Sequence, residues 1–160
     1  MLKIYLAGPD VFEKDAIEQG KRLKELCSKY GFIALFPLDN EISGEGTPLE
    51  IATQIREANL ELIRSADIIL ANLSPFRGLE PDSGTIYEIG YGSALDKKIL
   101  GYTEDLRPMI ARVRDAQHLP SDAQFCQEGK IIEDFGQTEN LMLLNVALFQ
   151  SVEEALRSLT

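Results

Sequence analysis

The stretch Glu80 to Ala94, EPDSGTIYEIGYGSA, places one carboxylate where a core is forming. It opens with acids, turns through Pro81 and Gly84, and then becomes apolar, with Glu88 between Ile86-Tyr87 and Ile89-Gly90-Tyr91. An acid in the first turn of a helix serves the helix dipole. Asp82 or Ser83 suits that task better, because Glu88 lies more than a turn further in. A carboxylate among apolar neighbours is costly unless it is hydrogen-bonded or neutralised. Proteins tolerate that cost mainly at working sites. Glu88 is therefore the first candidate for chemistry, set against the plainer reading of a structural acid.

Five other positions bear on it. Tyr5 lies in the first apolar run; it is either a core aromatic or a hydroxyl that holds a carboxylate from a later helix. Asn59 stands four residues after Ile55 and four before Ile63, so it shares their helix face. A buried amide needs partners, supplied either by the core or by a ligand. Asp82 precedes Glu88 by six residues at a loop-to-helix junction, where it reads as an N-cap or as an acceptor for a ligand hydroxyl. Asn140 and Met142, in ENLMLLN, read alone as a cap and a core residue.

The elements that must position these groups follow from periodicity. Leu2–Ala7 is a short apolar run ending at Gly8-Pro9, hence a buried strand. Glu13–Tyr30 is amphipathic and helical, ended by Gly31. Phe32–Phe36 is the second strand and PLDNEISGEGTP a loop. A helix begins at Thr47-Pro48 and runs to about Ser65. Ala66–Leu73 is a strand covered on both faces, Gly84–Leu95 a helix, and Lys98–Tyr102 the fourth strand. Ile131-Ile132 is the expected fifth strand, with helices over Leu141–Phe149 and Val152–Leu159. Such alternation predicts a single α/β domain, a flavodoxin-like doubly wound sheet of five parallel strands. Ligands in this architecture bind at the carboxyl ends of the strands. The loops there are 8–12, 37–46, 74–83 and the segment from Thr103 onward.

Composition narrows the partners. The chain has 160 residues, 44% hydrophobic and 26% charged, which suits one soluble globular domain. A net charge of -10 argues against nucleic acid and against anionic membrane surfaces. No apolar run approaches the roughly 20 residues of a membrane span. Cys27 and Cys126 form no motif, so a reducing, cytoplasmic setting is expected. With His118 as the one histidine, a histidine-rich metal site or a histidine-centred triad is not expected.

Taken together, KIYLAGPDVF (Lys3–Phe12), FPLDNE (Phe36–Glu41), ADIILANLSPFRGLEPDSGTIYEIGYGSAL (Ala66–Leu95) and ENLML (Glu139–Leu143) resemble the nucleoside 2'-deoxyribosyltransferases. The resemblance implies a flavodoxin-like fold and base exchange on 2'-deoxynucleosides with free nucleobases, without cofactor or metal. It implies that Glu88 is the nucleophile, that Tyr5 positions it, and that Asp82 binds the 5'-hydroxyl. It places Gly8 and Phe12 at the substrate. It implies a homo-oligomer, at least a dimer, in which Asn140 and Met142 complete the neighbouring site. Ile86, Ile89 and Met142 are expected to wall the site against water. The chain departs from the family where an aspartate that handles the proton on the base is replaced by Asn59. Either Asp39 or Glu41 takes that task, or the acidity of the base suffices.

Three rivals stand beside this reading. A 2'-deoxynucleoside 5'-monophosphate N-glycosidase looks similar along the same helix, and Arg77 is the cation that speaks for it. Asp82, lying where the phosphate would, speaks against it. A non-catalytic flavodoxin-like nucleotide-binding module is the alternative of another class, with Glu88 structural. GTIYE (Gly84–Glu88) also resembles the Gly-Thr-x-x-Glu of cytokinin-activating phosphoribohydrolases, but Pro81-Asp82-Ser83 replaces the glycines that cradle phosphate there. GYGSAL lacks the strand-to-helix turn of a dinucleotide fingerprint.

Overall fold

The computed structural model describes residues 1–160. Five parallel strands form one sheet: β1 (Lys3–Ala7), β2 (Ile33–Leu35), β3 (Ile68–Asn72), β4 (Lys98–Tyr102) and β5 (Ala147–Phe149), in the order β2-β1-β3-β4-β5. The helices are α1 (Ala16–Lys29), α2 (Pro48–Ser65), α3 (Ser83–Ala94), α4 (Met109–Ala116) and α5 (Val152–Arg157). Parallel neighbours need crossovers, and these supply the helices that cover the two faces. The order is the flavodoxin-like one, with its reversal of winding beside β1 and β3. No helix is long and apolar enough to cross a membrane.

Strand alternation sorts the core into two layers. Ile4, Leu6, Ile68, Leu70 and Leu100 pack with Leu23 and Cys27 of α1 and Leu156 of α5. Tyr5, Ala7, Ile69, Ala71 and Ile99 face the other way, onto Leu60 and Ile63 of α2 and Ile89 of α3. The side-chain period of two therefore turns Tyr5 toward α3. Gly92 lets α3 lie close to the sheet, because a Cβ there would meet Ile69 Cδ1 at 1.9 Å. The start of α2 is fixed by Thr47 and Glu50, each capping the other's backbone N–H, with Pro48 in the first turn.

Most element boundaries agree with the periodicity to within a few residues. The late part of the chain does not. Ile131 and Ile132 are not the fifth strand of the sheet: Ile131 makes only an isolated antiparallel bridge to Phe125 and is largely exposed. The strand lies instead in the run expected to be helical, where Ala147–Phe149 pairs with Leu100–Tyr102. Leu148 packs into one core layer and Phe149 into the other, which is strand alternation. The unpaired edge of β4 overrides the local preference of a short apolar run, whose period is ambiguous on its own. Leu141–Leu143 form one 3-10 turn, capped by Asn140, whose side chain accepts from Met142 N. Helix α4 was not anticipated; its apolar stripe of Met109, Ile110 and Val113 packs on Ile132 rather than into the main core.

Candidate active site

Strand β1 and helices α2 and α3 meet at Glu88. Tyr5, fully buried in β1, donates its hydroxyl proton to Glu88 Oε1 at 2.6 Å across 83 residues of sequence. Burial is the largest influence on the Glu88 carboxyl and pushes its pKa up to about 7; the Tyr5 hydrogen bond opposes this, and the Asp82 charge adds to it. Burial, then the Glu88 charge, holds the Tyr5 hydroxyl well above its ordinary value, so it remains a donor. The result is a carboxylate with one oxygen fixed and the other without a protein partner, bordering a cleft.

That cleft, of about 450 Å³, lies between α2 and α3. Ala52, Ile55, Arg56, Asn59 and Leu60 line it from α2; Gly84, Tyr87 and Glu88 line it from α3. Helical spacing explains the set, since 52, 55, 56 and 59 share one face of α2, and 84, 87 and 88 one face of α3. The α2 face grades from core to cleft: Ile63 is fully buried, Asn59 partly, and Ile55 is 44% exposed. Arg56 donates to Tyr87 Oη at 3.0 Å and also to Glu57, closing one rim. Asn59 Oδ1 accepts from Asn40 Nδ2 at 3.1 Å, and the same Asn40 nitrogen donates to the Pro37 carbonyl at 3.0 Å.

Asp82 caps α3, its Oδ2 accepting from Thr85 N at 2.9 Å and Thr85 Oγ1 at 3.1 Å. Its Oδ1 makes no protein hydrogen bond, so capping leaves one oxygen free. Of the expected wall residues Ile86, Ile89 and Met142, none lines this cleft within one copy of the chain. Ile89 is buried in the core. Ile86 and Met142 line an adjacent cleft of about 330 Å³ on the other flank of α3, with Pro81, Ser83 and Asn140. The apolar wall beside Glu88 is Ile55, Leu60 and the Tyr87 ring.

Other candidates are placed at varying distance from the cleft. Asp39 pairs with Lys24 of α1 at 2.6 Å and, like Glu41, does not line the cleft; Glu41 is exposed. Gly8 packs against Asn72 and Asp10, where a Cβ would meet both at 2.7 Å. Phe12 is exposed and stacks on Phe76 with ring centroids 5.2 Å apart. Arg77 lies over that pair, 4.5 Å from the Phe76 centroid and 5.6 Å from that of Phe12. Asn140 and Met142 are brought together, but on the adjacent cleft, with Met142 77% exposed.

Several supporting residues escaped the sequence reading. Asn40 was passed over between Asp39 and Glu41, although a half-buried Asn59 demanded a partner. Glu133 accepts from Asn140 Nδ2 at 2.6 Å and from Leu141 N at 3.1 Å, so it braces the turn carrying Asn140 and Met142. Glu139 next to that turn is buried and paired with buried Arg112 at 3.0 Å. Nothing local marks that pair; only the apposition of α4 and the late loop creates it.

Comparison with known proteins gives the family of the chain. The family model described as nucleoside 2-deoxyribosyltransferase matches residues 4–142. A solved 2-desoxiribosyltransferase from Leishmania mexicana is 35% identical, with 99% of this chain and 96% of that chain covered at a TM-score of 0.81. A 2-deoxyribosyltransferase from Bacillus psychrosaccharolyticus is 25% identical, with 62% of this chain and 71% of that chain covered at a TM-score of 0.52. An uncharacterized protein of Schizosaccharomyces pombe, C191.05c, is 35% identical over 114 residues, 69% of this chain and 54% of its own length. The chain thus spans about half the length of that curated relative. The family match begins within β1, one residue before Tyr5, and ends at Met142, and over that span the chain belongs to the nucleoside 2-deoxyribosyltransferase family.

Proposed function

We propose that this protein exchanges the base of 2'-deoxynucleosides by double displacement through Glu88. The observation that carries the reading is the 2.6 Å hydrogen bond from Tyr5 to Glu88 Oε1 at the wall of a largely apolar cleft. Tyr5 holds one carboxylate oxygen, and Oε2 attacks C1' of the sugar. The C1'–O bond forms as the C1'–N bond breaks, and the electron pair of that bond leaves with the base. A second base then attacks C1' from the vacated face and displaces the carboxylate, giving net retention. The transition state carries positive charge on the sugar, and a fixed carboxylate in a poorly solvated cleft stabilises it as it develops. The missing 2'-hydroxyl makes that charge easier to form. Asp82 Oδ1 accepts the 5'-hydroxyl proton, while Oδ2 remains the helix cap.

In this reading Asn140 and Met142 serve the site of a second copy. Their turn is exposed, braced by Glu133, and flanked by half-exposed Leu141 and exposed Leu144. Hydrolysis of 5'-monophosphates is the second reading, favoured by Arg77, which stacks on aromatic rings without a carboxylate partner. Two incubations separate these readings. Deoxyinosine with free adenine yields deoxyadenosine under transfer, whereas a monophosphate substrate yields deoxyribose 5-phosphate under hydrolysis. Mass spectrometry after treatment with a slow 2'-fluorinated deoxynucleoside locates the sugar adduct on Glu88; an unmodified Glu88 refutes its role as nucleophile.

A further inference from the structure

We propose that the base subsite presents hydrogen-bond donors to the nucleobase, so that it selects 6-oxopurines over 6-aminopurines, with Asn40 as the residue that sets this polarity. The inference rests on the reading of the cleft between α2 and α3 as the site of the base. It follows from a chain of three groups. The Pro37 carbonyl can only accept, so the Asn40 group facing it at 3.0 Å is the amide nitrogen. The same nitrogen lies 3.1 Å from Asn59, so the Asn59 atom facing it is the carbonyl oxygen Oδ1. Asn59 Nδ2 is then turned away from Asn40, makes no protein hydrogen bond, and belongs to a side chain lining the cleft.

The other polar groups on that side are also donors. The Arg56 guanidinium can only donate. Tyr87 Oη accepts from Arg56 at 3.0 Å, which leaves its own proton to give. Glu88 is the one carboxylate lining the cleft, and the sugar engages it. A 6-oxopurine offers two adjacent acceptors, O6 and N7, to such a wall; a 6-aminopurine offers N7 beside an N6 donor. The amino group would face donors and leave hydrogen bonds unmade on both sides. A donor at Asn59 also stabilises negative charge on the departing base without giving up its proton, whereas a protonated aspartate would transfer one.

Calorimetric titration of hypoxanthine and adenine into the native protein tests this without turnover, since free bases carry no sugar. Hypoxanthine is expected to bind about tenfold tighter or better. Asn40→Asp removes the donor and turns the Asn59 amide nitrogen toward the new carboxylate, so the ratio should fall to unity or invert. Asn59→Asp is the second variant, and should invert the ratio directly; melting temperatures identify any variant that fails to fold. Equal affinities in the native protein, or an unchanged ratio in Asn40→Asp, overturn the inference. Hypoxanthine-selective binding without base exchange would support it and remove the transferase reading; exchange without selectivity would do the reverse.

Discussion

Replacing Glu88 by Gln should stabilise the fold in alkaline solution while abolishing the reaction. Burial lifts the folded-state pKa of Glu88 from the ordinary 4.5 to about 7. A carboxyl whose folded pKa lies above its unfolded one contributes full stability below the unfolded value. That contribution declines as pH rises through the window between the two, and above about 7 the loss is complete. A shift of about 2.5 pKa units corresponds to about 3.5 kcal/mol at roughly 1.4 kcal/mol per unit. Because the cleft is open to water on one side, this is an upper value. Gln is close in shape, still accepts from Tyr5, and never ionises. The variant should therefore match the wild type near about pH 4 and exceed it by roughly 2–3 kcal/mol at about pH 9. For a chain of this length that is a rise of roughly 5–10 °C in Tm. Glu139, which burial also lifts to about 7, is present in both proteins and cancels in the difference. Urea unfolding at several pH values measures the gap, and a rate assay on the same samples should show a loss of about a thousandfold or more. A stability gap that does not change with pH would refute the account of a desolvated carboxylate.

Three further outcomes follow from the same geometry. Base-exchange activity should rise with pH through about 7 as Glu88 ionises; Tyr5→Phe removes the hydrogen bond that favours the anion and should move that rise upward by roughly one unit. A pH–rate profile left in place would detach Tyr5 from the nucleophile. Asp82→Asn keeps the cap oxygen of α3 and should spare Tm while weakening discrimination for the free 5'-hydroxyl; Asp82→Ala should also lose about 1 kcal/mol of stability in urea unfolding. Gly92→Ala inserts a methyl against Ile69 and should cost roughly 1–3 kcal/mol by forcing α3 away from β3, read as a lower urea midpoint with a lower rate.

Much of this site was legible in sequence because its signals are local. Glu88 stands out since a helix register places it among apolar neighbours, and Asp82 is readable as a cap from the loop-to-helix junction alone. Strands β1, β3 and β4 are apolar runs bounded by turn residues, and α1, α2 and α3 carry clear boundary signals. Periodicity also placed Asn59 on the inner side of α2. It did not say which flank of α3 Ile86 would face, and within one copy of the chain Ile86 lines the neighbouring cleft.

Sequence alone determined the doubly wound class and the first four strands, and it singled out Glu88 as the candidate acid, because periodicity, caps and breakers act within a turn or a strand. Tertiary structure decided the rest. It turned Leu141–Phe149 from an expected helix into a 3-10 turn and an edge strand, since β4 offered a ladder that the local sequence does not reveal. It brought Tyr5 to Glu88 across 83 residues and Asn40 to Asn59 across 19. Hydrogen-bond partners, and the pKa values and amide orientations they set, belong to pairs of residues joined by the fold, and no window along the chain contains both members.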